Sequence, residues 1–362
     1  MRLGQTGGMG GTGFDPLNLT ADASLNQVII GAAGGPGVAG LRAGLTCSRD
    51  ALLALAAGHG LTGLRPDRLA DGIAAAAADP ATPAGRAAAA ALSGYGRRLG
   101  ALIGVLRDPA TPARQGRTLA RRACLSYWLA VDSVWLGGGL LAGRCGPAIL
   151  AAARAGAASA VRPCQLELMP QPALAPLLGA ARHAPAGRAG EVTVVADLGH
   201  TSIKTAIAGR DSAIAGKDAA ALTGLRLLES CAAPSGRPPP EVHEAVAAAL
   251  SRAAQRATEA GPGPVRVFAS VASYVHAGVP IDDGRGIYGT LAGQMAWLRS
   301  RIEAAAGADA TVTFIHDGTA AAATAGASNS ATITAGTWLG GGFRPRTTPA
   351  AGPGPRSAHH PS

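Results

Sequence analysis

Val192-Thr193-Val194-Val195-Ala196-Asp197-Leu198-Gly199-His200-Thr201-Ser202-Ile203-Lys204 opens on an apolar, β-branched run and turns around a glycine into a second one. The pattern predicts a strand, a sharp turn and a returning strand. Its residues suit phosphate. Asp197, at the strand end, can hold a hydrated Mg²⁺, Gly199 lets the backbone approach an anion, and Thr201 and Lys204 supply a hydroxyl and a cation. The lysine stands out: of 32 Lys plus Arg only Lys204 and Lys217 are lysines, so arginine serves almost everywhere that a generic positive charge is wanted.

Outward from this stretch, 362 residues suffice for two domains with a core in each. Apolar residues make up 48% of the chain and aromatics 3%, so those cores must be built from Ala, Val, Leu and Ile. A net charge of +10 and a pI near 10.2 invite a nucleic-acid reading. Against it, the arginines are dispersed, no run of five basic residues occurs, and aromatics that stack on bases are scarce. A solvated arginine surface that attracts anionic substrates such as nucleotides is the better account, and no nucleic-acid partner is expected. Cys47, Cys124, Cys145, Cys164 and Cys231 are odd in number, widely separated and without a CxxC pair, which suggests reduced thiols in a cytoplasmic protein. Met1-Arg2-Leu3-Gly4 begins no apolar h-region, so no signal peptide is expected. The longest charge-free stretch, from Gly318 to Phe343, is filled with Thr, Ser, Asn and Gly and reads as buried structure rather than a membrane span.

Residues 1 to about 40 are glycine-rich, with a disordered opening dozen and one short strand at Gln27 to Ile30 expected. Asp50 to about Asp108 has a helical pattern broken at His59-Gly60, Asp79-Pro80 and Pro83, and a further amphipathic segment spans about Arg114 to Ala130. Val131 to Leu136 reads as a strand, followed by Gly137-Gly138-Gly139, a helix from Pro147 to Ala160, a strand at Gln165 to Leu168 and a helix at Ala173 to Arg182. Ala184-Pro185-Ala186-Gly187 reads as a linker. Beyond the opening hairpin come a helix at Glu241 to Ala260, a strand at Val265 to Val271, a turn-rich segment through Asp282-Asp283-Gly284, a helix at Ala296 to Ala306 and a strand at Thr311 to Ile315. A final strand pair spans Ala331 to Phe343, and the tail from Arg344 to Ser362 should be flexible. Alternation of strand and helix argues for an α/β architecture with mixed sheets.

Four elements together carry chemistry. One is the hairpin 197–204. Asp317, at the C-terminal end of a strand and before Gly318-Thr319-Ala320-Ala321-Ala322, stands where α/β clefts bind ligands. It can equally be a helix N-cap. Gly336-Thr337 with Gly340-Gly341-Gly342 forms a second glycine-rich turn suited to phosphate oxygens or, more simply, a tight hairpin. Gly137, Gly138 and Gly139 lie in a strand-turn-helix setting where an adenine or ribose can rest on bare backbone, although with 52 glycines one such triplet is expected from composition. His200 and His316 read as hydrogen-bonding neighbours rather than metal ligands, and Arg285 as solvated. These are the parts of a phosphoryl transferase: donors around phosphates, a metal at Asp197, and one base, Asp317, to take a proton from the attacking hydroxyl.

The order Asp-Leu-Gly-x-Thr-x-x-Lys, then Asp-Gly-Thr-Ala-Ala-Ala, then Gly-Thr-x-x-Gly-Gly-Gly resembles the ROK family of sugar kinases, within the actin, Hsp70 and sugar-kinase superfamily. Ser273 to Gly286 resembles that family's Val-Pro-Gly-x-Val-Asp loop, and Trp297 falls where a tryptophan often precedes the helix before the catalytic aspartate. Val134 to Leu140 resembles the adenosine motif, and Leu177-Leu178-Gly179-Ala180-Ala181 the closing helix. In the family the hairpin comes first and those two segments last; here residues 131–181 precede residues 191–343, as in a circular permutation.

The resemblance implies two ribonuclease-H-like, actin-like ATPase domains with mixed sheets flanking a central cleft. A C-terminal-type domain would occupy 1–185 and an N-terminal-type domain 186–330, with a second phosphate hairpin at 331–345 returning to the first and a tail at 346–362. It implies ATP and Mg²⁺ as cofactors, a small sugar or polyol as substrate, and is compatible with a homodimer. ATP would contact Asp197, Gly199, Thr201, Lys204, Gly336, Thr337, Gly340, Gly137, Gly138 and Gly139. Three family features are missing: the zinc-binding Cys-x-Cys-Gly-x-x-Gly-Cys motif, the sugar-contacting Glu-x-Gly-His segment, and the asparagine before the catalytic aspartate, which is His316 here. A nucleotide- or sugar-binding sensor of the same fold is therefore the alternative to a kinase. A DNA-binding repressor is disfavoured, because the glycine-rich first 40 residues do not resemble a helix-turn-helix.

Overall fold

In the computed structural model, which describes residues 14–31, 38–185, 191–208, 225–259, 261, 263–284 and 286–344, the strand-helix alternation becomes two mixed sheets with helices around and between them. The opening dozen residues, Lys217, Arg285, Ala186 and Gly187 of the linker and the tail after Arg344 lie outside the described residues.

The first part is helical over the expected segments, with the short Ala43–Thr46 and most of Thr111–Gln115 falling outside them. α1 (Ala43–Thr46), α2 (Arg49–Gly58), α3 (Leu69–Ala76), α4 (Pro83–Leu106), α5 (Thr111–Gln115) and α6 (Leu119–Trp128) follow one another. Thr82 caps α4 by accepting from Gly85 N, and Pro83 supplies its first helical residue. The strand expected at Gln27 to Ile30 does not form. Leu25–Gln27 is a 3-10 turn, and pairing is limited to a single bridge between Ile29 and Arg42.

β1 (Ser133–Gly137), α7 (Cys145–Ala157), β2 (Gln165–Leu168) and α8 (Ala175–His183) come next. Then follow β3 (Val192–Leu198), β4 (Ser202–Ala208), β5 (Leu225–Ala232), α9 (Pro239–Glu259), β6 (Val265–Val271), the short ribbon β7 (Val275–His276) with β8 (Val279–Pro280), α10 (Met295–Ala306), β9 (Ala310–His316), α11 (Asp317–Ala322), β10 (Ser330–Ala335) and β11 (Leu339–Arg344). β5 was not expected from the sequence, nor was the short ribbon of β7 and β8. β5 is a half-exposed sheet edge without strict alternation, and it leaves Leu227 52% exposed.

The larger sheet runs β5-β4-β3-β6-β9; β5, β4 and β3 are antiparallel neighbours, and β6 and β9 continue parallel to β3. The smaller runs β11-β10-β1-β2, with β10 antiparallel to β11 and parallel to β1. One sheet thus takes strands from both sides of the other in sequence: 133–168 and 330–344 flank 192–316.

Every residue of β3 and of β10 is buried, as strands covered on both faces must be. One side of the larger sheet packs on α9, through Val194, Ala196, Val246 and Leu250; the other meets Leu177 and Ala181 of α8. The smaller sheet packs on α4, α6 and α7, where Tyr127, Trp128, Phe343 and Phe14 gather a third of the chain's twelve aromatics (4 Trp, 4 Tyr, 4 Phe) into one edge-to-face cluster. All five cysteines are free, and burial pushes the Cys47 and Cys124 thiols up to about 12. Among the described residues no helix is long and apolar enough to cross a membrane.

α8 and α11 lie together between the sheets. α8, which precedes the expected linker, packs on β3 and β6 of the larger sheet as well as on α11. The two helices approach so closely that a Cβ on Gly179 would fall 1.7 Å from Ala320 O. Arg182 of α8 donates to Ala323 O at 2.6 Å, satisfying a carbonyl at the C-terminus of α11. Gly179→Ala should accordingly cost about 2–4 kcal/mol by forcing the helices apart. Gly104→Ala, in α4 with open space around its Cβ, should stabilise by about 0.5–1 kcal/mol through helix propensity. Urea denaturation of the two variants measures both effects.

Candidate functional site

The β3–β4 turn is built as the sequence suggests. Asp197 and Lys204 are register partners on adjacent strands, and Gly199 N donates to Ser202 O to close the turn. Lys204 Nζ donates to Asp197 Oδ2 at 2.9 Å, and Ser270 Oγ on β6 donates to Asp197 Oδ1 at 2.8 Å. Asp197 is buried, and two lone pairs of its carboxylate remain after these bonds. The Tyr288 hydroxyl donates to Gly199 O at 2.8 Å and the Ser235 hydroxyl to His200 O, so the turn is held from outside the hairpin.

The β10–β11 turn faces it. Gly336 N donates to Trp338 O, and Gly336 O accepts from Arg49 N at the start of α2. The Thr201 and Thr337 hydroxyls lie 3.5 Å apart, so the two hairpin tips meet. Between them opens a cleft of about 380 Å³ lined by Asp197, Gly199, Thr201, Lys204, Asp317, Gly336 and Thr337. Gly138, Gly139, Leu140, Pro176, Leu69 and Ala70 also line it, with Arg68 and Asp71. Gly138 has to be glycine: its φ is +96°, and a Cβ would fall 2.3 Å from Ala335 O.

Two expected contacts are corrected. Gly137 is the last residue of β1 and does not line the cleft; the space of its missing side chain is taken by Met169 Sδ. Gly340 pairs with Thr334 inside the sheet, and a Cβ there would fall 3.2 Å from Asp317 Oδ1, so it makes room for that carboxylate and lines a neighbouring cavity instead.

Asp317 is the first residue of α11, and its Oδ1 accepts from Gly318 N at 2.6 Å. It is not the N-cap. That role falls to His316, whose Nδ1 accepts from Thr319 N at 3.4 Å. The bond leaves the imidazole proton on Nε2, 3.4 Å from Asp317 Oδ1. Tyr274 stacks on the His316 ring at 5.2 Å with 1° between planes, and burial holds this imidazole down at about 4, neutral at physiological pH. Burial first, and then the charge of Asp197, push the Asp317 carboxyl up to about 6. About a fifth of its side chain remains accessible. Burial also lowers the pKa of His200.

Asp317 is shared with a second cavity of about 400 Å³ on its other side. Ser24, Asn26, Gln27, Ser273, Tyr274 and Asp283 line that cavity, and Trp338 stands at its rim, 49% exposed. Sequence reading missed most of this wall, as well as Arg49 and Arg68 of the cleft. Arg49 and Arg68 were hidden among arginines that look alike in composition; Ser24 and Asn26 are brought in by the 3-10 turns, where Asn26 exchanges hydrogen bonds with the Leu339 backbone.

Protein-family profiles, curated proteins and solved structures yield no match to this chain.

An aspartate with a raised native pKa binds its proton more tightly folded than unfolded, so its contribution falls as pH rises from about 4 to about 6 and remains unfavourable above. Asp317→Asn should therefore be more stable than the parent at pH 7, by up to about 3 kcal/mol. The difference should disappear near pH 4, as read from urea unfolding at the two pH values.

Proposed function

We propose that this chain is an ATP-dependent kinase that phosphorylates a hydroxyl of a sugar or sugar-like polyol. The observation that carries the reading is the place of Asp317: one accessible carboxylate at the junction of two cavities, one walled by two glycine-turn hairpins with a lysine, the other by hydroxyls, amides and an aromatic ring. A base between donor and acceptor is what phosphoryl transfer to an alcohol requires.

Strand order supports the same reading. β5-β4-β3-β6-β9 has the antiparallel-then-parallel order of a ribonuclease-H-like domain, and β11-β10-β1-β2 repeats it without the outer strand. The second set is drawn from both sides of the first in sequence, as expected for a circularly permuted relative of the actin-like ATPases.

In this mechanism Lys204 and the backbone around Gly199, Thr201, Gly336 and Thr337 hold the phosphates, and the cleft wall at Gly138 and Gly139 takes the nucleoside. Asp197 has lone pairs left to accept from the water shell of a magnesium ion, which when bound would neutralise phosphate charge. Asp317 accepts the hydroxyl proton as the acceptor oxygen forms a bond to the γ-phosphorus, and the bond to the β,γ-bridging oxygen breaks to release ADP. His316 fixes the carboxylate by the Nε2 contact. A carboxyl near 6 is ionised at neutral pH yet basic enough to help.

Acceptor-dependent ADP release across hexoses, amino sugars and cyclitols tests the reading. kcat/KM should fall below pH 6 as Asp317 protonates. Asp317→Asn should lower turnover about 10²–10⁴-fold while ATP still binds, as measured by calorimetry. Unchanged turnover in that variant removes Asp317 from the base role. ATP binding with no acceptor-dependent ADP would favour the sensor, the reading suggested by the missing Glu-x-Gly-His segment.

A further inference from the structure

A third cavity, of about 390 Å³, lies behind the acceptor cavity and has a different charge. The two share Gln27, and the segment 20–27 lines both. Arg42, Arg114, Arg117 and Arg121 face this third cavity, whereas Asp22 is its one acidic lining residue. Arg114 reaches Asp108 at 3.4 Å. Among the described residues Arg42, Arg117 and Arg121 have no carboxylate within ion-pair distance, although ion pairs hold many other arginines of the chain.

The floor of the cavity is preorganised. The Gln115 side chain accepts from Ile29 N at 2.8 Å and donates to Ile29 O at 2.9 Å, locking α5 to the segment before α1. The Arg121 side chain is buried and donates to Gln115 O, Asp22 O and Ser24 O, so its charge is fixed in place by neutral carbonyls. Thr118 caps α6 and donates to Asp22 Oδ1, which draws that carboxylate toward the helix start. Burial lowers the Arg121 pKa, and the nearby Asp22 acts against that shift. Arg42, Arg114 and Arg117 are exposed while Arg121 is buried and fixed, and guanidinium groups match phosphate oxygens bidentately.

We propose that this cavity is a binding site for a small, multiply charged phosphate compound, separate from the cleft between the hairpins. Inorganic pyrophosphate is a suitable probe, titrated calorimetrically into the full chain. Measured in the Lys204→Ala background, where phosphate binding in the cleft is weakened, Arg42→Ala and Arg117→Ala should each weaken binding at the remaining site at least tenfold. Lys204→Ala, which removes a cation from the cleft, should leave this binding in place. Arg256→Ala, on α9, makes the same change of net charge away from the cavity and should also have no effect. Loss with Lys204→Ala but not with Arg42→Ala or Arg117→Ala would assign the anion to the cleft and overturn the proposal. So would equal weakening by Arg256→Ala, which would reveal attraction by net charge alone, or no binding at millimolar pyrophosphate. Because Asp317 takes no part in this site, failure of the kinase reading leaves the test intact.

Discussion

The position of Asp317 depends on one packing constraint, the seating of α11 with almost no space around its backbone. On one side Gly179 brings α8 against Ala320. On the other a Cβ on Gly318 would fall 2.2 Å from Gly341 O, and one on Gly342 would fall 1.9 Å from Gly318 O. The Thr332 hydroxyl donates to Gly318 O across the same contact. A six-residue helix has little stability of its own, so its place is set by what it touches. Here it touches both a helix of the larger sheet and a strand of the smaller one, and the carboxylate at its first residue is carried to the line where the sheets face each other.

The electrostatics of the site follow from that seating. Burial makes the Asp317 carboxylate reluctant to ionise, and Asp197 nearby adds to the effect. Asp197 itself is held by Lys204 and Ser270, so the two acids stand in unlike surroundings. Such a pair can divide labour, one fixed by its hydrogen-bond partners and the other left partly accessible. Burial keeps His316 uncharged, so it can orient Asp317 without supplying a competing cation. Positive groups line the cleft between the hairpins and the cavity behind the segment 20–27, whereas the cavity between them has no lysine or arginine among its described lining residues.

Several features were legible from local pattern. Strands β2 and β6 occupy the residues expected, and the turn at Gly199 joins Asp197 to Lys204 as the alternation required. Others were not. The glycine triplet could not be divided by sequence, because only pairing tells that Gly137 ends a strand, Gly138 turns with positive φ and Gly139 borders the cleft. The N-cap went to His316 rather than Asp317, since a one-residue shift of the helix start changes which side chain meets the N–H of the third helical residue. α8 sits with the larger sheet because its small residues match the surface over Val195 and Ala206, not because of its place in the chain.

By itself the sequence determined the α/β character, the strand ends that carry Asp197 and Asp317, and the rarity that marks Lys204, because these rest on residue type and short-range periodicity. Only the tertiary structure decided that Thr201 and Thr337 meet, that Asp317 divides two cavities, and that strands on either side of residues 192–316 share a sheet. Those facts depend on contacts between residues more than a hundred positions apart, fixed by pairing and close packing that no local pattern encodes.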